Sequence, residues 1–244
     1  MDPLYQFKIK PLIPFHIGGY DLSFTNSSLF MMLTTFSICF FIHLATRNKR
    51  LVPGRLQVSA ESLFHFIANM VTTYVGREGL QFFPYILSLF LFILFGNLIG
   101  LIPYAFTFTS HIIVTFCLAL FVFIGVTVAG FAKHGTHFLR VFYPSGIPIY
   151  VAPLLIPVEI ISYLSRPVSL SVRLFANMVA GHVMLKIFAS FAVLLAGTSF
   201  IPASALPALL NVAITGFELL VAILQAYVFT ILTCIYLNDA LNLH

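Results

Sequence analysis

Hydrophobic residues occur in long uninterrupted runs along this chain, and polar residues are confined to short stretches between them. Residues 27–46 carry no formally charged side chain and correspond to about 30 Å of helix, the thickness of one bilayer core. Residues 79–132 contain no Asp, Glu, Lys or Arg, and Pro103 with the polar residues 107–111 divides this run. The pattern predicts three membrane-spanning helices, at 27–46, 82–103 and 111–132.

The remaining segments follow other patterns. Residues 1–26 are mixed and rich in turn residues, whereas apolar residues recur at helical spacing in 56–75, which predicts an amphipathic surface helix. The stretches 148–196 and 203–237 are too long for one perpendicular crossing, since they would span about 60–70 Å and 50 Å as helices. Each stretch either folds into two short spans or lies strongly tilted. We favour two long tilted helices, at 148–196 and 203–240, joined by a turn.

Charged residues are unusually scarce. The chain has 12 Lys and Arg and 7 Asp and Glu among 244 residues, or 8%, against about 25% in soluble domains. The net charge of +5 is too small and too scattered to indicate nucleic-acid binding. The three cysteines lie far apart and form no ligand spacing with histidines, so we expect no metal or cofactor. These features predict an all-α, polytopic membrane protein whose residues 1–244 form a single membrane domain.

Basic residues set the predicted orientation. One cluster follows the first span and a second follows the third, so both lie on the same side of the membrane, either the cytoplasm or the mitochondrial matrix. Lys8 and Lys10 are mild evidence against this orientation. The clusters consist of Arg47, Lys49, Arg50 and Arg55, and of Lys133, His134, His137 and Arg140.

Five charged side chains lie inside the two long apolar stretches: Glu159, Arg166, Arg173, Lys186 and Glu218. A charge at the membrane centre costs about 2.5–3.5 kcal/mol on insertion scales, so such residues usually mark an ion path, a ligand or a partner. Arg166 and Lys186 could extend their charges to an interface. Arg173 has apolar neighbours and stays protonated, so it needs a water-lined cavity or a carboxylate partner.

Helical geometry relates the polar residues to one another. Glu159 precedes Arg173 by 14 residues, which places both within about 40° of one face and about 21 Å apart. Asn177 lies one turn beyond Arg173 on that face, and His182 lies on the opposite side. Glu218 comes from the second helix. This arrangement predicts two separate half-paths with titratable relays, divided by an arginine. The polar stripe of the second helix consists of Asn211, Thr215, Glu218 and Gln225.

Four motifs carry a family resemblance. They are SLSVRLFANMVAGHVMLKIFASF (169–191), FELLVAILQAYVFTILTCIYLNDALNLH (217–244), GNLIGLIPYAFTFTSHIIVT (96–115) and SFTNSSLFMML (23–33). The chain resembles subunit a of F-type ATP synthases (ATP synthase subunit 6), in its mitochondrial and alphaproteobacterial form. The motifs are long and specific, and the resemblance covers essentially the whole chain.

The resemblance implies a fold and a function. The implied fold has spanning helices, an amphipathic surface helix and a long tilted helical hairpin facing the c-subunit ring. The implied function is that of a stator subunit, not an enzyme by itself, whose two offset half-channels protonate and deprotonate the ring carboxylates and so drive rotation and ATP synthesis. The implied partners are the c-ring, a b-type peripheral stalk, other Fo subunits, membrane lipids and protons. The implied location is the mitochondrial inner membrane, with the bacterial inner membrane as the alternative.

The resemblance also implies roles for individual residues. Arg173 matches the essential arginine, Glu159 the carboxylate of the matrix- or cytoplasm-side half-channel, and the pair of His182 and Glu218 the opposite half-channel. Some bacterial relatives carry a further carboxylate where this chain has Gly100. The remaining implied proton-translocation residues are Asn97, Asn177, Gln225 and Asp239.

Two other functions remain open from the residues alone. A secondary transporter with an anion site centred on Arg173 would be supported by an inverted repeat. A membrane-embedded hydrolase would need a strained serine with a histidine partner, and Ser145 with His182 is the nearest candidate.

Overall fold

The structure is a computed structural model. It describes residues 7–14, 16–17, 20–21, 23–47, 53–102, 105–135, 137–138, 150, 152–197 and 204–242. Ser145, the hydrolase candidate, lies outside the described residues, as do the ends of predicted ranges at 103, 148 and 203. So do Lys49, Arg50 and Arg140 of the basic clusters.

Within the described residues the chain folds almost entirely into helix. The six α-helices are α1 (Asn26–Arg47), α2 (Arg55–Tyr74), α3 (Phe83–Gly100), α4 (Ile112–His134), α5 (Ala152–Ala196) and α6 (Ala205–Leu241). Short 3₁₀ helices cover Arg77–Phe82 and Phe108–Ser110. Five helical segments of the described chain, all except α2, are long and apolar enough to cross a membrane. The predicted class, an all-α polytopic membrane protein, is confirmed.

The N-terminal segment contains a small element that the hydrophobic pattern does not show. Strand β1 (Pro11–Ile13) pairs antiparallel with β4 (Phe24–Thr25), and between them β2 (His16–Ile17) pairs with β3 (Tyr20–Asp21). The amide of Asn26 also donates to the carbonyl of Lys10, at 3.1 Å. These contacts connect the segment to the first turn of α1.

The ends of two helices have clear local causes. Helix α2 is followed by Val75 and then Gly76, whose φ of 84° lies in the left-handed region that glycine adopts without steric cost. Helix α4 ends with Lys133 and His134, which suit the negative C-terminal end of the helix dipole, and Gly135 follows with a φ of 56°. Lys133 also forms an ion pair with Glu78.

Helix α5 is continuous over 45 residues, or about 68 Å, although Pro157 and Pro167 lie inside it. Each proline removes one helical N–H donor, which a helix tolerates when packing stabilises it on both sides. Helix α6 has 37 residues. These lengths favour one long helix over two short spans for each stretch.

The chain divides into two compact units, and both α5 and α6 contribute to each. Unit 1 comprises Met1–His43, Leu91–Ile112 and Leu174–Ala226. Unit 2 comprises Leu44–Phe90, Ile113–Arg173 and Tyr227–His244. The division therefore falls immediately after Arg173 on α5.

Candidate functional site: two polar clusters on the long helices

The predicted site residues are shared between the two units. Unit 1 contains Asn97, Asn177, His182, Glu218 and Gln225, and unit 2 contains Glu159, Arg173 and Asp239. Several additional residues, identified below, take part in the same clusters.

A histidine and a carboxylate meet in unit 1. The Nδ1 atom of His182 on α5 lies 3.6 Å from Oε1 of Glu218 on α6. Both side chains are buried, with 11% of His182 and 2% of Glu218 exposed. A buried carboxyl beside an imidazole can pass its proton to the ring nitrogen and take it back. The structure thus brings together two residues that are 36 positions apart in the sequence.

A threonine that sequence reasoning did not single out holds the other side of the imidazole. Thr107 Oγ1 lies 2.9 Å from Nε2 of His182 and donates to the carbonyl of Gly100 at 3.1 Å. A Cβ atom at Gly100 would lie 2.7 Å from this same hydroxyl oxygen, so glycine permits the contact. Gly100 therefore contributes its backbone carbonyl to this cluster. The only sequence signal for Thr107 is its place in the polar interruption at 107–111.

Asn97 connects α3 to the same cluster. Its side chain is fully buried, and Nδ2 donates to the carbonyl of Ala222, one turn beyond Glu218, at 3.2 Å. Its Oδ1 atom has no hydrogen-bond partner among the described residues. In unit 1 the same holds for buried oxygen atoms of Thr109, Asn211 and Glu218. Buried polar atoms are nearly always satisfied by protein or water, so these oxygens are available acceptors for a proton donor or a water in this unit.

A glycine sets how closely α5 approaches Glu218. A Cβ atom added at Gly181 would lie 2.7 Å from Oε1 and 2.9 Å from Cδ of Glu218. Any larger residue at this position would therefore push the carboxylate from its place beside His182.

In unit 2, Arg173 lies at the end of an exposed polar stripe on α5. The stripe consists of the half-buried Glu159 followed by Ser162, Ser165, Ser169 and Arg173, all four exposed. Spacings of three and four residues place these side chains on one helix face. No described carboxylate of unit 2 forms an ion pair with Arg173. Apolar side chains border the stripe, and each of them is at least 44% exposed: Ile161, Leu164, Val168 and Val172.

Asp239 pairs with Arg166 in unit 2. Arg166 Nη1 lies 3.2 Å from Oδ2 of Asp239, and the guanidinium also lies 5.4 Å from the ring centre of Tyr163 and 5.0 Å from that of Tyr236. An ion pair and two cation–π contacts therefore join α5 to α6. The sequence predicts that Arg166 could extend its charge to an interface, and it does not indicate the pairing with Asp239.

The ion pair between Arg166 and Asp239 can be tested by removing either charge. We expect Arg166→Gln and Asp239→Asn each to lower proton-driven ATP synthesis by less than about threefold, because a partly exposed ion pair contributes only about 0.5–1 kcal/mol. The double variant should lose no more than the worse single variant, since the second change removes nothing further. The measurement is ATP synthesis by purified complexes in sealed vesicles. A tenfold loss in Asp239→Asn alone would show that Asp239 carries protons rather than supporting Arg166.

Asn177 and Gln225 are placed by their burial and their helix faces. Asn177 is half-buried on α5, and Gln225 is buried on α6, both in unit 1. They follow Arg173 and Glu218 by four and seven residues, the spacings that place them on the same helix faces.

Comparison with known proteins gives one consistent result. The family model described as ATP synthase A chain matches residues 28–238. ATP synthase subunit a of Rhodospirillum rubrum is 55% identical over 243 residues, covering 100% of this chain and 99% of that protein. The subunit of the same name from Parvibaculum lavamentivorans is 56% identical and covers 99% of this chain and 94% of that protein. The one from Paramagnetospirillum magneticum is 55% identical and covers 100% of this chain and 99% of that protein.

Proposed function

This chain belongs to the ATP synthase A chain family, and on that premise we propose that it is the proton-conducting stator subunit of a bacterial F-type ATP synthase. It does not form ATP itself. It supplies protons to a rotor, and the rotation drives catalysis elsewhere in the complex. The rotor carries the carboxylates that the protons reach.

The relatives also bear on the location. Those named above are bacterial, and they support the bacterial inner membrane rather than the mitochondrial one expected first. Five apolar helices among the described residues make the chain a multi-pass protein of that membrane.

The exposed position of Arg173 carries the proposal. A permanently charged guanidinium on an exposed helix face bordered by apolar side chains is costly in lipid. Its own unit offers no described carboxylate as a partner. The charge is therefore balanced by a carboxylate that another chain presents to this face. The small serine side chains beside Arg173 allow a neighbouring helix to approach closely.

The two polar clusters then have complementary roles. His182 and Glu218, with the available acceptors around Asn97, form the relay of one half-path. The stripe from Glu159 to Arg173 forms the other half-path, which the resemblance assigns to the cytoplasmic side. Arg173 favours the ionised form of an approaching rotor carboxylate and repels a proton that would cross directly between the half-paths.

Cross-linking tests this face of α5. We expect Ser169→Cys to form a disulfide, under mild oxidation of the intact complex, with a cysteine introduced into the c-subunit beside its ring carboxylate, because Ser169 is exposed beside Arg173. Ser171→Cys is the matched control, since Ser171 is buried and its hydroxyl contacts Thr115 at 3.2 Å. The exposed Cys39 and Cys117 are first replaced by alanine. Equal cross-linking from both positions, or none from Ser169→Cys, would count against the proposed interface.

A further inference from the structure

The Thr107 hydroxyl can donate only one hydrogen bond, but it lies beside two possible acceptors. Its Oγ1 atom is within hydrogen-bond distance of the Gly100 carbonyl, at 3.1 Å, and of His182 Nε2, at 2.9 Å. The side chain is 5% exposed, so water does not readily replace a missing partner. Which of these atoms carries a proton therefore depends on the donor and acceptor capacity of Thr107 Oγ1, the Gly100 carbonyl oxygen and His182 Nε2.

The Gly100 carbonyl can only accept a hydrogen bond. It belongs to the last turn of α3, where carbonyl groups run out of helical N–H partners. If the Thr107 hydroxyl donates its hydrogen bond to this carbonyl, its lone pairs remain free to accept a hydrogen bond from Nε2–H of His182. If Nε2 carried no proton, the carbonyl and the ring nitrogen would compete for a single donor, and one buried acceptor would lose its partner.

We propose that Thr107 is a positioning residue that holds neutral His182 in the tautomer protonated at Nε2, leaving Nδ1 bare and directed at Glu218. The inference rests on the proposed function, because it assigns a role to Thr107 within the His182–Glu218 relay. Thr107 acts through His182 and does not itself carry the proton onward, since its own proton is committed to the Gly100 carbonyl.

The consequence for the relay is directional. With Nδ1 bare, the ring nitrogen that faces the Glu218 carboxyl, 3.6 Å away, can accept its proton once the two side chains approach to hydrogen-bond distance or through one water. In that transfer the O–H bond of Glu218 breaks and an N–H bond forms at Nδ1, giving an imidazolium and a carboxylate, and the reverse step restores both groups. The opposite tautomer would present an N–H to the carboxyl and could not accept its proton there.

The aromatic ring of Phe7 restricts the imidazole further. The two ring centroids lie 6.3 Å apart at an interplanar angle of 72°, an edge contact typical of aromatic pairs. A ring turned by 180° would exchange the places of its nitrogen and carbon atoms and lose the hydrogen bond to Thr107. The Phe7 contact thus fixes the plane of the imidazole, and the hydrogen bond to Thr107 selects between the two flipped orientations in that plane.

The test uses the whole complex with ¹⁵N-labelled histidine in this subunit. At about pH 8, where an unperturbed imidazole is neutral, the ¹⁵N shifts of His182 report which ring nitrogen carries the proton. His182→Gln identifies its signals. We expect a single Nε2–H tautomer in the unaltered protein and a mixture of both tautomers in Thr107→Val, which keeps the β-branched shape without the hydroxyl. We also expect proton-driven ATP synthesis to fall about fivefold in this variant, as for the loss of one neutral hydrogen bond.

Two variants separate this role from a general effect on packing. Thr107→Ser keeps the hydroxyl and should keep both the tautomer and most of the ATP synthesis. Thr34→Val removes a buried hydroxyl from the same unit, where it donates to the Phe30 carbonyl at 2.8 Å, and should change neither reading.

Three results would overturn the inference. They are a single Nε2–H tautomer in Thr107→Val, an equal tautomer shift in Thr107→Ser, and an altered tautomer with undiminished synthesis. The tautomer is read in the resting complex and needs no transport. Failure of the proposed function would show itself separately, as normal synthesis after Arg173 or Glu218 is replaced.

Discussion

Arg173→Ala is expected to abolish proton-driven ATP synthesis, with a loss of about a hundredfold or more, the size seen when a preorganised charge is removed from a low-dielectric site. Without the guanidinium, the proposed interface loses the charge that favours the ionised form of the arriving rotor carboxylate. It also loses the charge that opposes direct passage of a proton between the half-paths. The measurement is ATP synthesis by the purified complex in sealed vesicles, driven by an imposed proton gradient and potential.

The exposed position of Arg173 makes this variant informative. Its side chain is exposed and forms no ion pair with a described carboxylate of its unit, so the subunit should assemble in normal amounts in the purified complex. Arg55→Ala is the matched control, because it removes an exposed arginine from the amphipathic helix α2 and should leave synthesis unchanged. Normal synthesis by assembled Arg173→Ala complexes would sink the proposed function.

Glu218→Gln is expected to have the second largest effect, lowering ATP synthesis by about tenfold to a hundredfold. Glutamine keeps the shape of the side chain but cannot bind or release a proton, so His182 loses the group with which it exchanges. The same vesicle assay gives the rate. Synthesis within twofold of the unaltered complex would exclude Glu218 from the relay.

A graded variant tests the geometry of the same pair. Gly181→Ala keeps both titratable groups but places a methyl group 2.7 Å from Oε1 of Glu218, too close without a shift of that side chain, so we expect a loss smaller than that of Glu218→Gln. Gly216→Ala is the control, since a Cβ atom there meets nothing within 4 Å. Equal rates for the two alanine variants would show that the close approach of Gly181 does not matter for transport.

The helical class could be predicted because lipid leaves few alternatives for the backbone. A charge-free run such as 27–46 must satisfy its N–H and C=O groups internally, and a helix does so within one segment. The structure has α1 at Asn26–Arg47. The N-terminal hairpins could not be predicted in this way, since strands of two or three residues carry no usable periodicity.

The site was predictable only in part. A charge inside an apolar run stands out from sequence alone, which is why Arg173 and Glu218 could be identified as functional candidates. Thr107 and Gly181 have ordinary polarity, and their importance arises from distances to residues far along the chain. The pairing of Arg166 with Asp239 depends on how α5 and α6 pack. Helical periodicity describes each helix separately and does not specify that packing.

The central claim is that two half-paths meet only at a rotor carboxylate, and passive proton flow through the membrane sector tests it most directly. Vesicles containing the sector without its catalytic head are given a potassium diffusion potential, and proton uptake is followed with a pH-sensitive dye. We expect rapid uptake with the unaltered ring and background uptake when the ring carboxylates are replaced by amides. Equal uptake through both sectors would show a continuous channel through this subunit and would exclude two separate half-paths.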